Sequence, residues 1–180
     1  MHRKNLREKL EHYYPTDKIE KADKEKMLRF LDEHEDCFER SLEVGHFTGS
    51  CWLGNHDDTE FLLTLHKKVK IWLQPGGHAD GDPHMTRVSQ REAHEESGLK
   101  NIALLSDEIF DIGVHLIPEY EGVPVHYHYD VRFLLKAIDK NEEIQISDES
   151  TDLRWFAAVP TDNYDLNRMF KKWKNLRNSK

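Results

Sequence analysis

Three glutamates stand at helical spacing near the middle of this chain, in Arg91-Glu92-Ala93-His94-Glu95-Glu96-Ser97-Gly98-Leu99. Glu92, Glu95 and Glu96 are related as i, i+3 and i+4, so on a helix they share one stripe and lie within several ångströms of one another. Like charges that close repel, and a solvated helix gains nothing by gathering them. A hard divalent cation reverses the sign of that energy, because Mg²⁺ takes oxygen ligands and keeps waters or substrate oxygens in its remaining positions. The stripe therefore reads as a Mg²⁺ site, with Mn²⁺ as the other candidate. Its chemistry would be that of a metal-bound polyphosphate.

The segment around the stripe is punctuated as a helix should be. Asp82 is expected as the N-cap and Pro83 at the first helical position, where a missing N–H costs nothing. Val88, Ala93 and Leu99, with Met85, supply a buried side, and Gly98 suits the left-handed residue that closes a helix. Ahead of it, Pro75-Gly76-Gly77 is a turn whose backbone can approach a ligand closely. A glycine loop followed by a helix N-terminus suits a phosphate.

Taken together, Gly77 to Leu99 resembles the Nudix box, Gly-x5-Glu-x7-Arg-Glu-U-x-Glu-Glu-x-Gly-U, where U is a bulky aliphatic residue. Gly77 matches the leading glycine, Arg91-Glu92 the Arg-Glu pair, Glu95-Glu96 the Glu-Glu pair and Gly98-Leu99 the end. Two positions depart: Pro83 stands where the box has its first glutamate, with Asp82 one residue away, and Ala93 is small for an aliphatic slot. The resemblance implies an α/β/α sandwich with a mixed β-sheet. It also implies roles. Glu92 and Glu96 would be direct metal ligands, Glu95 a ligand or a holder of waters, and the carbonyl of Gly76 or Gly77 a further oxygen ligand. Arg91, four residues before Glu95, is placed to pair with it. The family pattern also has a carboxylate in a loop before a Trp-bearing strand. Glu149, six residues before Trp155, fits as an additional ligand or general base, against the plain reading of a solvated loop acid.

Composition limits the alternatives. At 180 residues with a net charge of −8 the chain has room for one real core and a very soluble surface. That charge argues against a nucleic-acid partner, whose main energetic term is a basic face on phosphates. Cys37 and Cys51 are too few for a disulfide framework and read as buried or idle thiols. No stretch is apolar enough to span a membrane or to form a secretory signal, so a cytoplasmic location is expected.

Along the chain, residues 1–40 read as a helical extension. Asn5 to Tyr14 and Thr16 to about Glu35 carry two helices split at Pro15. They serve as a cap on the catalytic domain, or as a homodimerisation or substrate-covering element. Residues 41–180 read as the catalytic domain. His46 to Leu53 and Glu60 to Leu65 form a hairpin across Gly54 to Asp58, and Ile71 to Gln74 leads into the glycine loop. Strands follow at Ile102–Leu105, Ile109–Ile117, Val125–Ile138 and Leu153–Ala158. Asp165 to Lys174 is an amphipathic helix with Leu166, Met169, Phe170 and Trp173 on one side.

Val125 to Phe133 reads VHYHYDVRF, and alternation puts His126, His128 and Asp130 on one strand face. Two histidines and an aspartate invite a zinc site, but ligands at i, i+2 and i+4 span about 13 Å along a strand, too far for one ion. Polar substrate contacts or strand packing are the better readings. His115 and Asp111 on the adjoining strand would line the same cavity. Gly77, His78 and Asp80 lie where phosphate oxygens or metal waters would be. Lys67, Lys68 and Lys70 could neutralise phosphate, although a solvated charge run explains them too, and Trp72 reads first as core.

The function expected is Mg²⁺-dependent hydrolysis of the pyrophosphate bond in a small nucleotide, namely a nucleoside diphosphate linked to another moiety such as a sugar or ribose. The catalytic residues would be Glu92, Glu149 and Arg91. Alternatives are hydrolysis of nucleoside triphosphates, nucleotide sensing without turnover, which the missing first glutamate favours, and isomerisation of a prenyl diphosphate.

Overall fold

Helical and extended periodicities alternate along the chain, and the elements follow them. A computed structural model describes residues 2–120 and 122–179. The helices and strands are α1 (Lys4–His12), α2 (Lys18–Glu33), β1 (Gly45–Gly54), β2 (Phe61–His66), β3 (Trp72–Leu73), β4 (Gly76–His78), α3 (Met85–Ser97), β5 (Ile102–Leu104), β6 (Asp111–Ile117), β7 (His126–Ala137), β8 (Ser150–Phe156) and α4 (Tyr164–Asn178). The strands form a mixed sheet in the order β3-β2-β1-β7-β5, with β4 on β1, β6 on β7 and β8 on β2. With the helices this is the expected α/β/α sandwich. β1 is buried along its whole length, as a strand with both faces covered must be. Among the described residues no helix is long and apolar enough to cross a membrane.

The contacts divide the chain into two compact units. The first comprises Met1–Ser50, Gly77–Ser89 and Asp107–Phe133. Here α1 and α2 bury Leu6, Leu10, Met27, Phe30 and Leu31, and Phe30 stacks flat on Tyr129 of β7, centroids 4.0 Å apart. The turn between the helices is built on buried Glu20. Its carboxylate accepts from Thr16 N–H at 2.6 Å, Thr16 Oγ1 at 2.7 Å and the Tyr13 hydroxyl. Asp17 caps α2 by accepting from the N–H groups of Ile19 and Glu20. On the β6–β7 ladder, fully buried Arg132 donates to Asp111 and Asp130, both at 2.7 Å. Asp130 also accepts from Thr48 and Ser50. Removing one member would strand a buried charge.

The second unit comprises Cys51–Gly76, Gln90–Ser106 and Leu134–Lys180. β2 is its organising strand, paired antiparallel with β1, β3 and β8, with Phe61 opposite Phe156 and Leu63 opposite Arg154. Leu53, Leu62, Leu99, Leu135 and Leu153 form the core together with Cys51 and Ala93. The small side chain of Ala93 thus lies inside that core. Trp52 stacks on Phe61 at 4.3 Å, and α4 buries Leu166, Met169 and Trp173 as its periodicity predicts. Both cysteines are buried.

Three local expectations need correction. The helix carrying the glutamates starts at Met85, so Pro83 lies outside it and Asp82 is not its N-cap. The His84 carbonyl accepts from the N–H groups of Arg87 and Val88, which sets the first turn there. Asp82 instead folds the preceding loop, accepting from His84 N–H at 2.9 Å and from the Arg87 guanidinium at 2.6 Å through both oxygens. Strand β8 begins at Ser150 rather than Leu153, because its backbone pairing with β2 continues through Leu65 opposite Asp152 and His66 opposite Ser150. Strand β6 begins at Asp111, two residues after Ile109.

The end of α3 behaves as expected. Gly98 has φ of +70°, and a Cβ there would lie 2.7 Å from Cβ of Gln145, whose N–H donates to the Ser97 carbonyl. Gly98→Ala should cost at least about 1–2 kcal/mol from backbone strain alone. Urea unfolding measures this, and a loss below about 0.5 kcal/mol would contradict the cap.

Candidate functional site

The helix stripe places its three carboxylates as the spacing requires, but in unequal surroundings. Ala93 and Leu99 turn one side of α3 into the core of the second unit, and Glu96 follows them inward to 8% exposure. Glu95 is exposed and Glu92 intermediate. Glu96 is held by the glycine turn: Gly76 N–H donates to its Oε1 at 2.9 Å. Arg91, expected at Glu95, donates to Glu92 Oε1 at 2.8 Å. The fourth carboxylate, Glu149, lies just before β8. Its backbone is fixed by Lys67 N–H, which donates to the Glu149 carbonyl at 2.9 Å.

The electrostatics bind these four into one site. Burial pushes the Glu96 carboxyl up to about 7, against the Gly76 N–H and with help from the charges of Glu92, Glu149 and Glu95. Burial also raises Glu92, with Arg91 opposing and Glu95 and Glu149 adding to the rise. Glu149, exposed and distant in sequence, is thus close enough to act on both helix glutamates. A carboxylate buried among like charges is costly unless something positive joins it. The donor set is all oxygen and strongly anionic, the chemistry a hard divalent ion requires. Glu92, Glu95, Glu96 and Glu149 fit such an ion, and the Gly76 carbonyl belongs to the same turn. No three of the four glutamates are yet drawn as close together as a bound ion would hold them.

The substrate-binding candidates beyond the box are dispersed within the first unit. Asp130 and His115 are engaged by Arg132, which donates to Asp130 at 2.7 Å and lies 2.8 Å from His115 Nε2. Asp80, at a positive φ of 49°, pairs bidentately with Arg40. Gly77 and His78 lie on β4. His78, His126 and His128 do come together, joined by a residue that sequence reasoning passed over, His46 of β1. Ring centroids are 5.0 Å apart for His46–His78 and 4.9 Å for both His46–His128 and His78–His128. Burial lowers His46 and His78 to about 4 and His128 to about 2; Arg40 adds to the fall at His46 and His78, and Asp80 opposes it. All three rings are neutral at pH 7. Nothing in the local sequence marks His46 among twelve histidines. Only strand pairing brings it to the others.

No protein-family model matches the sequence, and no curated protein does. Solved structures do. A hydrolase of the Nudix family from Clostridium perfringens is similar at a TM-score of 0.52 and 26% identity, over 73% of this chain and 97% of its own. The chain thus shares the fold of a Nudix hydrolase and carries the box residues on α3, beside the Gly76 turn. Fold and box residues agree on the Nudix hydrolases as what this chain resembles. Two more distant structures share the fold. C. elegans Ap4A hydrolase, in a binary complex, has a TM-score of 0.59 at 17% identity, covering 74% of this chain and 98% of its own. The MutT protein from Methanosarcina mazei Go1 has 0.55 at 16% identity, over 77% and 99%. The chain departs from the box at Pro83 and at the small Ala93, and Asp82 is held by Arg87 in the loop before α3.

The repulsion at Glu96 gives a prediction of sign. In chelator, Glu96→Gln should melt at or above the wild-type temperature, since the amide relieves repulsion and can still accept from Gly76. In millimolar Mg²⁺ the order should invert, because only the wild type gains binding energy. Thermal melts of both proteins in both conditions decide it. The same order in the two conditions would contradict a cation site.

Proposed function

We propose that the protein is a Mg²⁺-dependent hydrolase that cleaves the pyrophosphate bond of a nucleoside diphosphate linked to another moiety, a nucleotide sugar or an ADP-ribose-like compound. The observation that carries this reading is the buried Glu96, held by the glycine turn and raised first by burial and then by three neighbouring carboxylates. The C. elegans structure similar to this chain is an Ap4A hydrolase. That compound is also a nucleotide joined through phosphates to a second group, which favours the same substrate class.

Glu92, Glu95, Glu96 and Glu149, with the Gly76 carbonyl, would hold the metal. When bound, Mg²⁺ neutralises charge on the phosphate oxygens and lowers the pKa of a water. The protein's own part is proton transfer and positioning. Glu92 or Glu149 accepts the proton of the attacking water. Arg91 holds the Glu92 carboxylate at 2.8 Å, and Gly76 N–H holds Glu96. The products are two phosphorylated halves, and no covalent bond to the protein is needed.

One observation favours a second reading. Pro83 replaces the first box glutamate, and Asp82 is tied to Arg87 and His84 N–H. A chain lacking that group could bind nucleotide without turnover.

A panel of nucleotide sugars, ADP-ribose, dinucleoside polyphosphates and nucleoside triphosphates, incubated with Mg²⁺, separates these readings by product mass. Two phosphorylated products from a diphosphate-linked nucleotide are expected. Tight binding with no product across the panel would establish the sensor. Glu92→Gln and Glu96→Gln should each lower kcat at least a hundredfold, about 3 kcal/mol of barrier, with the fold intact. Near-wild-type rates in both would refute the catalytic assignment.

A further inference from the structure

We propose that His46, His78 and His128 form a binding site for a divalent transition-metal ion of the zinc class, made of residues other than the carboxylate cluster. One ligand nitrogen from each ring lies within 4.8 Å of the other two. All three belong to the first compact unit and come from three different strands, β1, β4 and β7.

Ring packing alone is a poor explanation of the cluster. His46 is 4% exposed, yet neither of its ring nitrogens makes a hydrogen bond of ordinary geometry, the Leu42 backbone being the one group near enough to act on the ring. An unsatisfied buried polar group costs about 1–3 kcal/mol. Phenylalanine would pack the same space without that loss. A metal ion removes it, because ligation takes a lone pair from a neutral imidazole.

The neighbouring ring supplies orientation. Nδ1 of His126 lies 2.7 Å from the Pro124 carbonyl, which can only accept, so His126 carries its proton on Nδ1. Its Nε2 is then an acceptor, facing Nε2 of His128 at 3.1 Å. The His128 tautomer is thereby fixed by a partner outside the trio, as ligating histidines commonly are.

Ligand type selects the ion. Three neutral nitrogens suit Zn²⁺ and its d-block neighbours and are poor ligands for Mg²⁺. At a Zn–N distance of about 2.0–2.1 Å, tetrahedral nitrogens stand about 3.3 Å apart. Modest side-chain movements would close the trio on the ion, leaving one position for water or a polar oxygen. Bound there, the ion would tie β1, β4 and β7 together.

The test uses full-length protein without a polyhistidine tag, stripped with chelator and titrated with Zn²⁺ in millimolar Mg²⁺ to occupy the carboxylates. One equivalent should bind with micromolar affinity or tighter. His78→Gln and His128→Gln should each weaken it at least tenfold, with circular dichroism unchanged, whereas exposed His12→Gln should leave it unaltered. In wild-type protein Co²⁺ should give the intense visible bands of a four- or five-coordinate ion. That spectrum decides the matter even if a variant fails to fold. Absence of saturable Zn²⁺ binding, weak octahedral Co²⁺ bands, or binding that survives both substitutions would overturn the proposal.

Discussion

Repulsion among glutamates on a helix that cannot turn them all to solvent is the constraint on which the rest of the site depends. Ala93 and Leu99 are buried in the core of their unit, which fixes the rotation of α3. Glu96 is carried inward with them and meets the Gly76 N–H, while Glu149 enters from the loop before β8. A single hydrogen bond of ordinary strength does not offset a carboxylate buried beside like charges. The fold thus holds a position whose charge a cation would offset, which is the basis of the proposed metal site. Core packing, rather than helix propensity, sets that position.

The first unit solves the same problem by another route. Asp111 and Asp130 are as buried as Glu96, but Arg132 lies between them with 2.7 Å contacts to each. The guanidinium offsets the repulsion between the two carboxylates, and the hydroxyls of Thr48 and Ser50 add hydrogen bonds to Asp130. Asp130 of β7 and His115 of β6, candidate substrate contacts by sequence, are both engaged by that one arginine. A polar face on a strand is only a list of groups until its partners are known.

Much of this was legible in the sequence where the signal was local. The helix of the glutamates, its glycine stop, the β1–β2 hairpin and the amphipathic α4 follow from spacing and capping residues. The start of α3 was not, because Asp-Pro reads as a cap whereas Asp82 is drawn away by Arg87. Nor was His46. Its contact with His78 and His128 arises from strand pairing, which no one-dimensional period encodes. Ligands at i, i+2 and i+4 of one strand lie too far apart for one ion, whereas His46, His78 and His128 come from three strands.

The account rests on divalent cations lying among the glutamates of α3 and Glu149. Electron paramagnetic resonance of Mn²⁺ tests this most directly, since the free-ion signal collapses on binding. Titration should show saturable Mn²⁺ uptake by the wild type that is lost in the Glu92→Gln, Glu96→Gln double variant. A wild-type protein that leaves the free Mn²⁺ signal undiminished, or a double variant that binds equally well, would contradict the account.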